Sequence, residues 1–526
     1  MSIRNYLFAF LALYTSLHTY VVSAPDLVYA QDQLRGYNLY QEMGTPGFVK
    51  YEGTANIQWL PGNLGYLETE QVDGGTEFFA VDPQTQDRSP LLSDRQVRIL
   101  TQLLEQEHGI KFQALPFSRF DYVMQNKAIF FVYNEQDHVF HLEDLTLRAL
   151  YKPEVERAPY TEELMRRMET SQLWNGTYSH DYRWFAHVKG YDIYLVNTET
   201  QEEKRLTYGS EEQMNGRPSW VYPEEFGERD AYWFSPDNKK IAYLQYNETD
   251  VYQYPIIHEL EFETGLELER YPKAGEANPT VNLFIVDIKT GKVEQIPTNS
   301  GPDTYIVRPI WRENSKELTF RRLNRKQDNL EFLSYSLDSQ EVRTLFTEQE
   351  DTYINLHDNF YQLKDGEQFL WTSEQTGFNQ LYLFNFDGSL VRKLTSGNNP
   401  LGSVVRVDQK NSLVYYTAYH NMGLDEYFHV VTLDGESTQL SESDGRHTIS
   451  MNEAAEYYIS RSSSFDRPYS VDLHKSDGSL VRSLQKMNVE RVVEQGLQAP
   501  EQVVFKAADR QTELVGLVYK PADFDS

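Results

Sequence analysis

The residues best placed to do chemistry are two adjacent carboxylates, Glu224 and Glu225, in the run WVYPEEF at residues 220–226. Aromatic residues frame the pair, and a tight turn with the sequence SPDN follows at residues 235–238 and leads into a strand. Two neighbouring carboxylates can accept two of the three protons of an ammonium group. The pattern therefore indicates capture of a cationic group on a ligand. The alternative is a solvated acidic pair in a loop, because exposed acidic pairs are common.

Other residue types give no second candidate for catalysis or metal binding. The 526 residues contain no cysteine, no Gly-x-Ser-x-Gly motif and no glycine-rich phosphate loop. We therefore predict no catalytic residue and no cofactor in this chain. His138 and His141 have two residues between them, but alternation along a strand would send them to opposite faces of a sheet. We interpret both as ordinary strand residues and predict no metal site.

Composition and charge narrow the class of protein. The chain has 40% hydrophobic and 14% aromatic residues, which is typical of a folded protein rather than a disordered one. Its formal net charge of −30 at pH 7 would repel nucleic acids and anionic lipids. We therefore expect cationic or neutral partners and no nucleic acid.

The amino terminus carries a targeting pattern. Arg4 precedes a mostly apolar stretch at residues 6–24, and Val28 with Ala30 forms a small-residue cleavage site. We predict a signal peptide at residues 1–30, a mature start near Gln31, and a secreted or periplasmic protein. The alternative is an uncleaved segment that anchors the protein in a membrane, for which the stretch is barely long enough.

A loose repeat of about 40 to 50 residues, a length typical of propeller blades, runs through the chain after the targeting segment. It is clearest at residues 366–394, where the runs QFLWT, LYLF and LVRKL alternate with turns. Eight such units can be counted, with insertions in the earlier ones. The repeat predicts an all-β fold, an eight-bladed β-propeller over residues 31–490. A pair of antiparallel β-sandwiches would have locally similar strands and is the alternative.

Two stretches and the carboxyl-terminal segment depart from the repeat. The apolar spacing at residues 94–105 and 160–173 predicts helices inserted on the blades. The runs VVF at residues 503–505 and LVGLVY at residues 514–519 predict strands outside the repeat. We therefore expect a second domain to begin at residue 491, with no partner sheet to cover the apolar side chains of its last strand.

Several segments resemble, in order along the chain, the dipeptidyl peptidase IV family of prolyl oligopeptidase-type serine peptidases. The resemblance covers most of residues 180–526. Beyond the run that contains the acidic pair, the segments are GERD at 227–230, SPDNKKIAY at 235–243, YPKAGEANP at 271–279, LNRKQ at 323–327 and VYKP at 518–521. Members of this family look like an eight-bladed propeller joined to an α/β-hydrolase domain, with the peptide bound between them. The resemblance implies that residues 491–526 are the first strands of a truncated hydrolase domain.

By this resemblance, Glu224 and Glu225 correspond to the pair that binds the substrate's amino terminus and thereby selects the release of dipeptides. The implied partners are peptide substrates with a free amino terminus and the missing hydrolase domain, which would carry the catalytic triad and the oxyanion-hole tyrosine after Ser526. The resemblance also allows a homodimer. We predict that this chain is the substrate-gating propeller of a secreted serine dipeptidyl peptidase and is inactive alone.

The sequence departs from the family pattern at three places. Pro223 stands where relatives usually carry a glutamate, and Ser219 where they usually carry an aspartate. The arginine of an early blade that usually contacts a substrate carbonyl has no counterpart in residues 130–144. None of these changes touches Glu224 or Glu225. The alternative function is a stand-alone propeller that binds peptides or proteins without catalysis.

Overall fold

A computed structural model describes residues 49–53, 57–153, 176–259, 265–363 and 366–521. The chain divides into two compact units. The larger unit comprises Ala55–Ser464 and Ser470–Leu484, and the smaller comprises Met1–Thr54, Phe465–Tyr469 and Gln485–Ser526. The predicted targeting segment at residues 1–30 and the predicted helix at residues 160–173 lie outside the described residues.

The described residues form a nearly all-β structure, as the sequence predicts. The first nineteen strands are β1 (Lys50–Gly53), β2 (Gln58–Trp59), β3 (Tyr66–Val72), β4 (Gly75–Val81), β5 (Arg88–Pro90), β6 (Asp121–Val123), β7 (Ala128–Tyr133), β8 (Gln136–His141), β9 (Leu147–Leu150), β10 (Thr177–Tyr178), β11 (Trp184–Lys189), β12 (Asp192–Asn197), β13 (Glu203–Arg205), β14 (Gln213–Asn215), β15 (Tyr232–Phe234), β16 (Lys240–Asn247), β17 (Gln253–His258), β18 (Gly265–Arg270) and β19 (Thr280–Asp287). The remaining strands are β20 (Val293–Gln295), β21 (Thr304–Trp311), β22 (Glu317–Asn324), β23 (Asn329–Ser336), β24 (Glu341–Gln349), β25 (Phe360–Gln362), β26 (Gln368–Ser373), β27 (Gln380–Asn385), β28 (Leu390–Lys393), β29 (Leu401–Asp408), β30 (Leu413–His420), β31 (Asp425–Thr432), β32 (Ser437–Gln439), β33 (Arg446–Met451), β34 (Tyr457–Ser463), β35 (Ser470–Lys475), β36 (Leu480–Asn488), β37 (Glu501–Lys506) and β38 (Glu513–Val518). The helices are α1 (Asp94–His108), α2 (Val221–Phe226), α3 (Glu490–Glu494) and the 3-10 helix η1 (Asn421–Gly423).

Most strands belong to four-stranded antiparallel groups that follow the chain order. The groups are β2–β5, β6–β9, β10–β13, β21–β24, β25–β28, β29–β32 and β33–β36, and β14, β16, β19 and β20 form another group, to which β15 adds a fifth strand. A single parallel bridge between Glu426 and Arg446 joins the last two groups. Strands β17 and β18 pair only with each other, as a hairpin inserted between β16 and β19.

Local turn chemistry explains why the chain folds back so regularly. In the turn that precedes β16, Ser235 Oγ donates a 2.7 Å hydrogen bond to Asp237 Oδ1. Ser235 Oγ also accepts a 3.0 Å hydrogen bond from the backbone N–H of Lys240. Asn238 occupies the left-handed region with φ of 59°, which asparagine tolerates better than most residues. The predicted turn and strand at residues 235–243 are therefore confirmed.

Successive groups in the larger unit pack through their side chains. Phe332 on β23 lies 4.9 Å from Trp371 on β26, and Phe346 on β24 lies 4.8 Å from Phe384 on β27, measured between ring centroids. Phe332, Trp371 and Phe384 belong to one buried cluster that also includes Tyr222, and the partly buried Phe346 packs against it. Aromatic side chains that sequence alone places on strands thus form the core between sheets.

The first and last groups of the larger unit also touch each other. Trp59 Nε1 donates a 3.0 Å hydrogen bond to the backbone oxygen of Ser450, and Arg482 Nη2 donates one of 2.6 Å to Tyr66 Oη. Each pair joins residues about four hundred positions apart in the chain. The start and the end of the repeat therefore meet in space.

The helix predicted at residues 94–105 is confirmed as α1, which runs one turn further, to His108. Ser93 and Gln96 form a capping box at its start, and Gly109 ends it with φ of 71°. Leu100 and Leu104 are buried in the core formed with the groups β2–β5 and β6–β9. Among the described residues, no helix is long and apolar enough to span a membrane.

In the smaller unit, β37 and β38 confirm the strands predicted at residues 503–505 and 514–519. They form an isolated antiparallel hairpin. Val504, Phe505 and Leu514 remain exposed to 54%, 50% and 41% of their surface. The hairpin therefore leaves apolar surface uncovered. Its assignment to a hydrolase domain stays a prediction.

Candidate functional site

The acidic pair lies on the short helix α2, and buried side chains of this helix fix it to the core of the larger unit. Val221, Tyr222 and Phe226 are buried. The Tyr222 hydroxyl accepts a 3.2 Å hydrogen bond from the backbone N–H of Ile306. Gly227 ends the helix with φ of 64°, and its N–H donates to the backbone oxygen of Tyr222. The carboxylates therefore project from an anchored backbone, not from a mobile loop.

Both carboxylates are exposed, but the structure holds only one of them. Gln327 Nε2 donates a 2.6 Å hydrogen bond to Glu225 Oε1, and Tyr353 Oη donates one of 2.9 Å to Gln327 Oε1. Gln327 is buried, with 5% of its surface exposed. Glu224 has no hydrogen-bond partner in the described part of the chain. One carboxylate is thus oriented, and the other is available to a ligand.

The charge of Glu225 acts on two neighbouring tyrosines. The pKa values of Tyr305 and Tyr353 are raised mainly by burial. The negative charge of Glu225 raises both pKa values further. A carboxylate that perturbs neutral phenols in this way has a negative field around it. Such a field favours a cationic ligand group.

An ion pair between buried Glu228 and half-buried Arg308 supports the carboxyl-terminal end of α2. Arg308 Nη1 lies 3.3 Å from Glu228 Oε2, and Arg308 Nη2 donates a 2.9 Å hydrogen bond to the backbone oxygen of Phe226. Burial raises the pKa of the Glu228 carboxyl to about 7, although Arg308 acts in the opposite direction. Arg308 Nε also lies 2.5 Å from Asp358 Oδ1. This arginine therefore ties α2 to β21 and to the segment before β25.

A second arginine, Arg321, is buried within the same charge network. Burial, and then the charge of Arg308, lower the pKa of its guanidinium to about 9. Its guanidinium carbon lies 4.5 Å from the Trp371 ring centroid, and its Nη1 donates to the backbone oxygen of His357. Burial and Arg321 lower the pKa of His357 to about 3, so this imidazole is neutral at physiological pH. Arg321 thus adds a buried cation to this network, whereas Glu224 and Glu225 on α2 are exposed.

Aromatic residues form a contiguous wall beginning at Trp220, directly before α2. The ring centroids of Trp220 and Tyr271 are 4.2 Å apart, and those of Tyr271 and Tyr254 are 5.8 Å apart. Lys273 Nζ lies 4.9 Å from the ring centroids of Tyr252 and Tyr254. The run YPKAGEANP therefore lies beside the run WVYPEEF, and the β17–β18 hairpin contributes to the same wall.

The structure brings together residues that the sequence leaves far apart, including some to which sequence reasoning gives no role. Gln327 belongs to the LNRKQ run and Glu228 to the GERD run, so the resemblance could have drawn attention to both. Tyr353 and Arg308 carry no such signal. Arg308 has φ of 53° and lies beside a register shift in β21. No local sequence pattern predicts either feature.

His138 and His141 lie on the same strand, β8, but in different surroundings. His138 is fully buried and contacts Glu107 of α1, whereas His141 lines a separate cavity with Lys127 and His180. The two histidines do not form a site together, in agreement with the alternation along the strand.

Comparisons of the sequence with known proteins identify one family. Residues 126–469 match the family model described as the dipeptidyl peptidase IV (DPP IV) N-terminal region. A dipeptidyl peptidase 4 of Trichophyton tonsurans is 32% identical over 255 residues, covering 45% of this chain and 32% of that protein. One of Arthroderma otae is 33% identical over 248 residues, covering 44% of this chain and 32% of that protein. The matched region spans about a third of the length of these curated relatives.

Solved structures show the same fold. Dipeptidyl peptidase 4 of Porphyromonas gingivalis superposes with a TM-score of 0.70 at 21% identity, covering 92% of this chain and 67% of that one. A putative dipeptidyl aminopeptidase IV of Bacteroides ovatus gives a TM-score of 0.72 at 20% identity, covering 91% of this chain and 66% of that one. The family model covers more than half of the sequence. The chain therefore belongs to the dipeptidyl peptidase IV N-terminal region family.

Proposed function

We propose that the larger unit is the substrate-gating, eight-bladed propeller of a serine dipeptidyl peptidase, in which Glu224 and Glu225 bind the free amino terminus of the peptide. The observation that carries the proposal is the state of the acidic pair. It is exposed on an anchored helix, and a buried glutamine orients one carboxylate while the other has no hydrogen-bond partner among the described residues.

The arrangement of the strands supports the propeller. The four-stranded groups, with the one that β15 extends, make eight groups. A propeller needs its last blade to meet its first, and the hydrogen bonds Trp59–Ser450 and Arg482–Tyr66 supply such contacts. A pair of sandwiches would need no such repeated packing of each sheet on the next.

The chemistry of the pair suits an ammonium group. An ammonium ion donates three hydrogen bonds, and charge-assisted bonds to carboxylates contribute roughly 1.5 to 3 kcal/mol each. Gln327 occupies Oε1 of Glu225, which leaves Oε2 of Glu225 and both oxygens of Glu224 as acceptors. Because α2 is fixed by its buried residues, the amine would be held at a constant place. A constant place is what a peptidase that counts residues from the amino terminus requires.

Hydrolysis needs a nucleophile that these 526 residues do not offer as a Gly-x-Ser-x-Gly motif. We assign it to the α/β-hydrolase domain, whose first strands would be the β37–β38 hairpin. The uncovered apolar residues of this hairpin are consistent with a sheet that continues beyond it. In this proposal the present chain binds peptides but does not cleave them, and it needs no cofactor.

Export forms part of the proposal, because extracellular peptides are natural substrates for such an enzyme. Its support is the targeting pattern at residues 1–30, which fits cleavage near Gln31 or retention as a membrane anchor. We leave a homodimer as a further proposal that rests on the family alone.

The double change Glu224→Gln with Glu225→Gln tests the assignment. Both amides keep the shape of the carboxylates but lose the charge, so affinity for a peptide with a free amino terminus should fall at least about tenfold, the loss of roughly one charge-assisted hydrogen bond. Isothermal titration with a tripeptide that has a free amino terminus measures this, with circular dichroism to show that the fold is retained.

The matched control is Glu143→Gln with Asp144→Asn, an adjacent exposed acidic pair in the β8–β9 turn. This control removes the same net charge at positions distant from α2 in the sequence. It should leave the affinity for the peptide unchanged. Equal loss in both double variants would point to a general charge effect and would overturn the assignment to Glu224 and Glu225.

A further inference from the structure

A second cluster of ligating side chains lies away from α2, where helix α1 ends against strand β8. Glu107 and His108 are the last two residues of α1, and His138 is the third residue of β8. Their ligand atoms all lie within 4.8 Å of one another. His138 is fully buried, whereas Glu107 is exposed. The site thus has a buried end and an end that is open to solvent.

The hydrogen bonds of His138 indicate which nitrogen carries a proton. Its Nδ1 lies 2.9 Å from the backbone oxygen of Gln136, and its Nε2 lies 3.1 Å from Glu107 Oε1. A carbonyl oxygen only accepts, so Nδ1 must donate. In a neutral imidazole, Nε2 then carries a lone pair that faces a carboxylate oxygen. A cation between the two atoms would turn this contact into two favourable ones.

His108 provides the second sign. Its Nε2 is buried and has no hydrogen-bond partner within the described ranges. The nearest acidic atom, Glu107 Oε1, is 3.8 Å away, which is too far for a hydrogen bond. A buried polar atom without a partner is costly, so it calls for an explanation such as an ion. The ring nitrogens of His108 and His138 and a carboxylate oxygen of Glu107 therefore lie within reach of one ion.

We propose that Glu107, His108 and His138 bind a divalent transition-metal ion, with zinc as the best fit. Two imidazole nitrogens and one carboxylate are ligands that Zn²⁺ favours, whereas Ca²⁺ and Mg²⁺ prefer oxygen alone. Zinc–ligand bonds of about 2.0 to 2.2 Å in a tetrahedron separate neighbouring ligands by about 3.3 Å. The separations of 3.1 Å and 3.8 Å from Glu107 Oε1 to the two histidines lie on either side of this value.

The surroundings of the histidines suit such a site. The bond from His138 Nδ1 to the Gln136 backbone oxygen is the outer contact that metal-bound histidines usually make. Phe131 stacks on the His138 ring at 5.2 Å, and Tyr133 meets the His108 ring edge-on at 5.0 Å, between centroids. Three protein ligands leave one position for water. The ion would join the end of α1 to β8 and so stabilise the packing of the inserted helix on its sheet.

Metal content of the full chain tests the proposal. After incubation with zinc and dialysis against metal-free buffer, the wild type should retain one zinc per chain by elemental analysis, and zinc should raise the melting temperature. His108→Ala and Glu107→Gln should each weaken zinc binding at least about tenfold, since even outer-shell changes cost that much. Both positions are more exposed than His138 and preserve the buried strand.

The control is His258→Ala. His258 Nε2 lies 2.8 Å from Glu267 Oε2 in the β17–β18 hairpin, so it is a histidine–carboxylate pair without a second histidine. This change should leave zinc content and affinity unaltered. If the wild type retains no stoichiometric zinc, the proposal is wrong. Undiminished zinc affinity in His108→Ala and Glu107→Gln would equally overturn it.

Discussion

At the scale of single residues, the candidate site depends on a difference between the surroundings of two glutamates, Glu224 and Glu225. Glu225 is oriented by Gln327, which Tyr353 holds in turn, whereas Glu224 is exposed. Orientation before binding lowers the entropy that a ligand contact must overcome. The pair of buried Glu228 and half-buried Arg308 serves a different purpose, because it supports the backbone of α2.

The titration of Glu228 gives a prediction at this scale. Its pKa is about 7 in the folded protein and near 4.5 without the fold. Because the pKa is raised, the contribution to stability is complete below pH 4.5 and is lost as the pH rises through 7. Glutamine does not titrate. The free energy of unfolding of the wild type minus that of Glu228→Gln should therefore fall by about 3 kcal/mol between pH 4.5 and pH 8.

Urea unfolding of both proteins at several pH values across this range measures the difference. Other groups titrate in both proteins, so their contributions largely cancel in the subtraction. A difference that stays constant from pH 4.5 to pH 8 would show that burial does not raise the pKa of Glu228.

At the scale of elements, helix α2 links the core to the acidic pair. It has only six residues, so packing and not intrinsic helix stability must hold it. The aromatic residues and Pro223 in its sequence do not favour a helix, and the local pattern is equally compatible with a loop. Helix α1 shows the opposite case, since its apolar spacing identifies it from sequence alone and the structure adds a capping box at its start.

The end of α2 gives a prediction at this scale. Gly227 has φ of 64°, and a Cβ added there would meet nothing within 4 Å. Gly227→Ala should therefore cost about 1 kcal/mol through backbone strain alone. Asparagine tolerates this conformation better, so Gly227→Asn should cost less. Urea unfolding checks the order; equal stability of the two variants would contradict it.

At the scale of the whole molecule, the sequence predicts the repeat but not its long-range contacts. Strands and turns follow from aromatic and β-branched runs between Asp, Asn and Gly residues, and these are local signals. The hydrogen bond between Gln327 and Glu225 joins residues 102 positions apart, and Trp59 reaches Ser450 across 391. Such contacts depend on how the sheets pack. Family resemblance located the acidic pair, while only the structure identified the residues that hold it and the cluster around His138.

The most direct test of the account compares one peptide in two forms. The chain should bind a tripeptide with a free amino terminus at least about tenfold more tightly than the same tripeptide with an acetylated amino terminus, because acetylation removes the charge that the carboxylates recognise. Isothermal titration of the wild-type chain at neutral pH gives both dissociation constants. Equal affinity for the two forms would contradict the assignment of Glu224 and Glu225 as the amine-binding pair.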